Sequence, residues 1–329
     1  MNPMRVLVTG GAGYIGSVVT ELLADSGHSV AVFDDLRYGH REAVHPSATL
    51  IVGDLLDAPA LDSAFESGGF EAVVHLAAES KVEESVRDPS LFYEVNARGT
   101  ANLLDAMARH GARKIVFSST ASVYGEPKTT PIHEGFPIQP INPYGASKHL
   151  CERLLRLASH AGLQHVSLRY FNACGASTRY GEWREQETHI IPILFDAVQG
   201  RRASFTLFGD DYPTPDGTCV RDYIHVLDIA QAHIHALGRL GDLPSAVYNV
   251  GVGRGYSNRE VIESVRRVSG MPLDYSVGPR RSGDPAALIA DASKIRDELG
   301  WEPQFQDLDS MVRSAWEWRL RFPNGYASS

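Results

Sequence analysis

The sequence predicts a doubly wound, parallel α/β sheet followed by a smaller α/β lobe. Three observations carry that prediction. Short apolar strands alternate with helical patterns over roughly the first 170 residues. A glycine-rich turn joins the first strand to the first helix. Beyond Asn172 the alternation gives way to Gly-, Pro- and charge-rich stretches.

Each element has its own signal. Arg5 to Thr9 is a short apolar strand, and Gly10-Gly-Ala-Gly13-Tyr-Ile-Gly16 leads from it into a helical pattern from Ser17 to Ser26. Strands follow at Ser29 to Phe33, Thr49 to Val52, Ala72 to Leu76, Lys114 to Phe117 and Val166 to Tyr170. Between them lie helical patterns near Ala60 to Glu66 and from Leu91 to His110. A last long helix opens at Asn142-Pro143, an N-cap followed by a proline suited to the first turn, with Leu150, Leu154, Leu155 and Leu157 as its apolar face.

Composition bounds what such a chain can do. Its 329 residues, 43% hydrophobic, supply core for one large unit or two unequal ones. A net charge of −9, with arginine pairs scattered at Arg201, Arg266 and Arg280, argues against a nucleic-acid partner. Cys151, Cys174 and Cys219 are too few and too far apart for a disulfide framework or a metal knuckle, which points to a reducing cytoplasm. The 13 histidines show no zinc-type spacing, so no metal is expected. There is no apolar region of signal-peptide type before the first strand and no span long enough for a membrane.

The glycine turn has the context that a dinucleotide needs. Gly10 and Gly13 permit a tight turn and close approach of a pyrophosphate to the helix N-terminus, while Gly16 lets helix and strand pack closely, as in a Rossmann fold. The second strand ends in Asp34, at the distance expected for a carboxylate that bonds ribose hydroxyls and repels a 2′-phosphate, which favours NAD over NADP. Arg37 is the one feature pulling the other way. Small residues Ala77 and Ala78 after the fourth strand suit a backbone over which a cofactor lies.

Tyr144 and Lys148 stand four residues apart at the start of the last helix and so share a face. An ammonium beside a phenol should lower its pKa and make it a usable base. Spacing alone is weak, since 13 tyrosines and five lysines give a chance match in about one such sequence in five. Tyr124 and Lys128 repeat it in a stretch that Gly125 and Pro127 keep from being helical. Thr120, at the end of its strand, could share the proton of a substrate alcohol with Tyr144. Arg221 and the pair Arg280-Arg281 lie in loops where a diphosphate could be clamped.

Thr9-Gly-Gly-Ala-Gly-Tyr-Ile-Gly16, the Phe117 to Gly125 stretch, Pro143-Tyr-Gly-Ala-Ser-Lys148, Arg169-Tyr-Phe-Asn172, the Val220 to Ala230 stretch and Ala290-Asp-Ala-Ser-Lys294 occur in one order. Together they closely resemble the UDP-glucose 4-epimerase family of extended short-chain dehydrogenase/reductases. The resemblance implies that Tyr144 is the catalytic base, Lys148 its electrostatic partner and a ligand of the nicotinamide ribose, and Thr120 the hydroxyl usually supplied by serine. It implies NAD contacts at Tyr14, Ile15, Asp34, Asp54, Leu55, Leu76, Ala77, Ala78, Asn96 and Phe171. Uridine diphosphate contacts would be Asn172, His189, Ile190, Thr206, Phe208, Arg221, Arg281 and Asp284, with Leu288 bounding the hexose.

Two positions depart from the family. Ser80 stands where well-known members have a lysine, with Lys81 beside it, and His189 where asparagine is frequent. The implied reaction is interconversion of UDP-galactose and UDP-glucose through a 4-keto sugar, extended by the reduced bulk of Leu288 to N-acetylated UDP-hexosamines. Ala121-Ser122 stand where sugar-nucleotide dehydratases have an Asp-Glu pair, which counts heavily against dehydration. A uronate or pentose epimerase, and a non-catalytic NAD-binding regulator, are the alternatives. Residues 1–172, joined by parts of 220–255, would bind NAD and residues 173–329 the nucleotide sugar. A homodimer paired through two helices of each subunit is expected.

Overall fold

The computed structural model describes residues 3–242, 244–281 and 283–326. The first half runs β1 (Arg5–Thr9), α1 (Tyr14–Asp25), β2 (Ser29–Asp34), β3 (Thr49–Val52), α2 (Ala58–Gly68) and β4 (Ala72–His75). It continues with α3 (Val82–Arg87), α4 (Pro89–Phe92), α5 (Gly99–Arg109), β5 (Lys114–Thr120), α6 (Pro143–Ser159) and β6 (Gln164–Tyr170). The second half holds β7 (Asn172–Cys174), α7 (Ile190–Val198), β8 (Phe205–Phe208), β9 (Val220–His225), α8 (Val226–Arg239) and β10 (Ala246–Val250). Then come β11 (Gly255–Ser257), α9 (Asn258–Ser269), β12 (Tyr275–Gly278), β13 (Ala287–Leu288), α10 (Ser293–Leu299) and α11 (Leu308–Arg321).

Seven parallel strands form the main sheet in the order β10-β6-β5-β4-β1-β2-β3. Alternate residues of each strand point to opposite faces. Val6 and Val8 therefore pack with Val18, Val19 and Leu23 of α1 and Ile229 and Ala236 of α8. Leu7, Phe33 and Val73 pack with Leu61 and Phe65 of α2, Leu103 and Met107 of α5, and Leu155 of α6. Burial on both faces explains why these strands read as continuous apolar runs. The chain leaves β1 in one direction and β4 in the other, so a crevice opens between their carboxyl ends, where doubly wound sheets bind ligands.

The second lobe has a core of its own, in which Leu194 of α7, Leu207 of β8, Val265 of α9 and Met311 and Val312 of α11 are buried. β9 lies between β11 and β13 and also pairs with β7, and β8 pairs with β12. β10 returns from this half to the edge of the main sheet beside β6.

Four local readings change. α1 begins at Tyr14 rather than Ser17, because Gly13 is an extended N-cap and the chain turns helical immediately after it. The long helix expected from Leu91 starts at Pro89 and widens into a π turn at Tyr93–Arg98, where Asn96 turns into the interior. β5 runs on to Thr120, paired with Tyr170. On α6 the Asn142 cap holds, its Oδ1 accepting from the Gly145 N–H at 2.8 Å. The leucine face does not hold. Leu155 is buried, but Leu150 and Leu157 are 37% and 62% exposed, and the inner face is Gly145, Ser147, Lys148, Cys151 and Glu152. A polar inner face here follows from what α6 packs on, the strand end that carries Ser118 to Thr120.

Candidate active site

The glycine turn is shaped by contact as well as by conformation. Gly10 has φ +72°, and a Cβ there would lie 2.5 Å from the Ala77 nitrogen; one on Gly16 would lie 2.0 Å from the Gly10 oxygen. α1 opens behind this turn with no side-chain cap and no acidic residue in its first turn, leaving N–H groups and the helix dipole for an anion. Asp34 ends β2 with its carboxylate accepting from the Ala12 and Leu36 N–H groups at 3.0 and 2.9 Å. Burial nonetheless raises its pKa, since it outweighs those two bonds. Gly39 leaves room beside it, because a Cβ there would meet Asp34 Oδ1 at 2.7 Å. Arg37 lies within salt-bridge reach of Asp35, Asp54 and Glu79 and is no free phosphate ligand.

These residues border a cavity of about 400 Å³, also lined by Ile15, Asp54, Leu55, Leu76, Ala77, Ala78 and Phe171. Asn96 is the exception among the expected cofactor contacts. It is buried behind the wall, accepting from the Glu79 N–H at 2.8 Å and donating to the Glu79 carbonyl and the Ser147 hydroxyl. It braces the strip after β4 rather than facing the cavity. A cradle of side-chain-free turn, unpaired helix N–H groups and a ribose-height carboxylate fits a dinucleotide.

Thr120, Tyr144 and Lys148 reach the same cavity from β5 and α6. Tyr144 stands edge-on to Phe92 and lines the cavity together with Thr120. Lys148 is buried, donating to the Ser118 carbonyl at 2.8 Å with its nitrogen 4.8 Å over the Phe117 ring. The expected fall in the phenol's pKa is absent. Burial raises it, and the nearby Thr120 hydroxyl and the Arg184 charge offset that only in part. Lys148 is instead the group that moves down, to about 8, because burial disfavours its charge more than Cys151 and Glu152 restore it. Tyr124, the tyrosine of the false pair, turns inward and donates to Asn249 Oδ1 at 2.7 Å.

A second cavity of about 550 Å³ adjoins the first, and Tyr14, Asn172, Glu182 and His189 line both. Ile190, Thr206, Phe208, Arg221, Arg281 and Asp284 surround it as expected. Arg221 donates to the Val220 and Pro285 carbonyls and lies 3.5 Å from Asp284, while the Arg281 guanidinium lies 4.3 Å over the Phe208 ring. Leu288, 8% exposed, belongs to the first cavity beside Thr120 and Tyr144. Lys81 also borders both, held 3.5 Å from Glu84 and 4.7 Å over Tyr38. His189 Nδ1 sits 2.9 and 2.8 Å from Glu182 and Glu187. Burial opposes its charge, but the two carboxylates prevail and raise its pKa to about 10.

Sequence reasoning missed Glu182, Trp183 and Arg184, which wall the first cavity. They sit in an aperiodic segment, and the only signal was a tryptophan among charges where nothing demanded a core. Residues 6–251 match the NAD dependent epimerase/dehydratase family. The chain is 48% identical over 314 residues to a UDP-glucose 4-epimerase of Corynebacterium glutamicum, covering 95% of each. It superposes on the Brucella ovis UDP-glucose 4-epimerase in complex with NAD with a TM-score of 0.91 at 43% identity, covering 94% of this chain and 96% of that one. On the Bifidobacterium longum enzyme in complex with NAD+ and UDP the TM-score is 0.93 at 38% identity, covering 97% and 99%. On that family match and these full-length likenesses, the chain belongs to the NAD dependent epimerase/dehydratase family, among its UDP-glucose 4-epimerases.

Proposed function

We propose that the protein interconverts UDP-galactose and UDP-glucose by transient oxidation at carbon 4 of the sugar. One observation carries the reading: Tyr144 and Thr120 open into the cavity that the glycine turn and Asp34 border. NAD, when bound, supplies a hydride acceptor that returns the hydride to the other face of the sugar. Gly10, Gly13, Gly16 and the α1 N-terminus would hold its pyrophosphate and Asp34 its ribose.

The protein's own part is proton handling and grip. Tyr144 takes the proton of the 4-hydroxyl and gives it back, with Thr120 sharing it, while Lys148, anchored on the Ser118 carbonyl, would hold the nicotinamide ribose. Arg221, Arg281 and the uncapped N-terminus of α7 hold the diphosphate. Binding energy placed on the nucleotide leaves the hexose free to turn over between the two transfers. Leu288 bounds the hexose and leaves space for an N-acetyl group.

Turnover of UDP-galactose without added NAD tests the reading. Tyr144→Phe should lower kcat by about 10²–10⁴ while the nucleotide still binds. Wild-type activity in the variant would refute it.

The same reading divides the chain into residues 1–172 with parts of 220–255 for the dinucleotide and 173–329 for the nucleotide sugar. It places the protein in the cytoplasm, in keeping with three buried free cysteines. Among the described residues no helix is long and apolar enough to cross a membrane. A homodimer is part of the proposal, supported by the exposed Tyr93, Leu150 and Leu157 on neighbouring helical segments.

A further inference from the structure

The segment between β7 and α7 carries Glu182, Glu187 and His189 at no recurring spacing. It folds so that one donor atom of each lies within 4.8 Å of the others. Both carboxylates converge on His189 Nδ1, at 2.9 and 2.8 Å. The Glu182 and Glu187 side chains are 9% and 8% exposed. Glu187 has a further oxygen, Oε2, that is buried with no hydrogen-bond partner. A carboxylate oxygen left in that state costs free energy unless a donor or a cation meets it, and a bound ion is one way to meet it.

We propose that Glu182, Glu187 and His189 form a site for a divalent transition-metal ion of the zinc type, and that an ion there competes with the nucleotide sugar. The donor set is two carboxylates and one imidazole nitrogen, which must release the proton it shares with them as the metal binds, and it suits zinc or cobalt; magnesium and calcium ask for six or more oxygens. Bonds of about 2.0–2.1 Å in a tetrahedron set donor atoms about 3.3 Å apart, so the two His189–carboxylate separations need to widen by only a few tenths of an ångström. Two carboxylates balance the ion's charge.

The surrounding shell fixes the ligands. Glu187 Oε1 accepts from the Thr188 and His189 N–H groups at 2.7 and 2.8 Å, and Arg184 lies 3.6 Å from Glu182. Three protein ligands leave a fourth position open. Glu182 and His189 line both cavities, so the ion would stand in the passage between them. The competition, unlike the binding, rests on the reading of this cleft as the nucleotide-sugar site.

The test is titration of the full-length protein, carrying whatever dinucleotide it retains, with Co²⁺ alone. The expected result is visible d–d absorption of tetrahedral type that saturates at one ion per chain and is quenched by Zn²⁺. Glu187→Gln keeps the backbone hydrogen bonds and should leave metal-free turnover unchanged, while weakening Co²⁺ binding by about tenfold or more. His189→Asn should weaken it as well. In turnover assays Zn²⁺ should raise the apparent KM for UDP-galactose with kcat unchanged, reversed by EDTA and blunted in Glu187→Gln. Non-saturating absorption, or binding equal in wild type and both variants, overturns the metal site. Saturable binding with an unchanged KM overturns the competition. Absence of any epimerase activity leaves the Co²⁺ spectra to decide the metal site by themselves.

Discussion

At the scale of single residues the site is set by absences as much as by functional groups. Gly10 is needed twice over, for its left-handed φ and for the Ala77 backbone that a side chain would strike. Gly10→Ala should therefore cost about 1–2 kcal/mol in backbone strain, with the displacement of the strip after β4 added to it. Thermal unfolding with and without added NAD checks this; the variant should melt lower and gain less from the cofactor than wild type does. Leu288 makes the complementary case, in which bulk is held back. Leu288→Tyr should remove turnover of UDP-N-acetylglucosamine and UDP-N-acetylgalactosamine and spare UDP-glucose and UDP-galactose. Coupled assays on the four sugars measure it, and a wild type inert toward both N-acetylated substrates would defeat the assignment.

At the scale of elements, α6 has two jobs on two faces. Its inner face carries Tyr144, Lys148 and Glu152 toward the strand ends, and its outer face leaves Leu150 and Leu157 in solvent. An exposed leucine contributes little to the stability of a subunit, within about 0.5 kcal/mol, so its worth must be sought in association. Leu157→Glu should leave the monomer folded by circular dichroism and shift light-scattering mass from dimer to monomer. The π turn before α5 is a second element with a definite purpose. It is the widened stretch through which Asn96 reaches the Glu79 backbone and Ser147.

At the scale of the whole molecule, a buried polar chain ties the main sheet to the segments that cross it. Arg169 of β6 donates to both Glu152 oxygens at 2.9 and 2.7 Å and to Tyr124, which donates to Asn249 of β10; Asn249 in turn donates to the Ile132 carbonyl. Ser119 completes the ring, bonded to Glu152. Burial alone would raise the Glu152 pKa, but the Arg169 bonds and charge, the His149 ring 3.6 Å away and the Ser119 bond outweigh it and bring it from 4.5 to about 2. A carboxyl group lowered in the fold contributes stability that is complete above its unfolded pKa and is lost as pH falls toward the folded one, here about 3 kcal/mol between about pH 4.5 and 2. Glu152→Gln leaves Arg169 buried without its counter-ion and should cost about 3–5 kcal/mol at neutral pH. Its stability should then fall less steeply across that acid window. Denaturant unfolding at a series of pH values, followed by tryptophan fluorescence, measures both effects.

Most of the fold and the cofactor half of the site could be read along the chain, because they rest on local signals. Strand, glycine turn and helix are contiguous, Asp34 closes the next strand, and Tyr144 and Lys148 share one helical face. What a linear pattern could not decide is which side of each element meets what. α6 showed leucines that turn out to face solvent, and Lys148 turned to the Ser118 carbonyl instead of lowering the Tyr144 pKa. Asn96 lies behind the wall it was expected to line. Glu182, Arg184 and Glu187 gather around His189 from an aperiodic loop. By itself the sequence determined the doubly wound sheet, the dinucleotide cradle and the phenol–ammonium pair, since periodicity and short spacing encode them within one or two elements. Only the tertiary structure decided burial and which charges meet, and with them the protonation of Tyr144, Lys148 and His189, because desolvation and ion pairing depend on neighbours that no single strand or helix holds together.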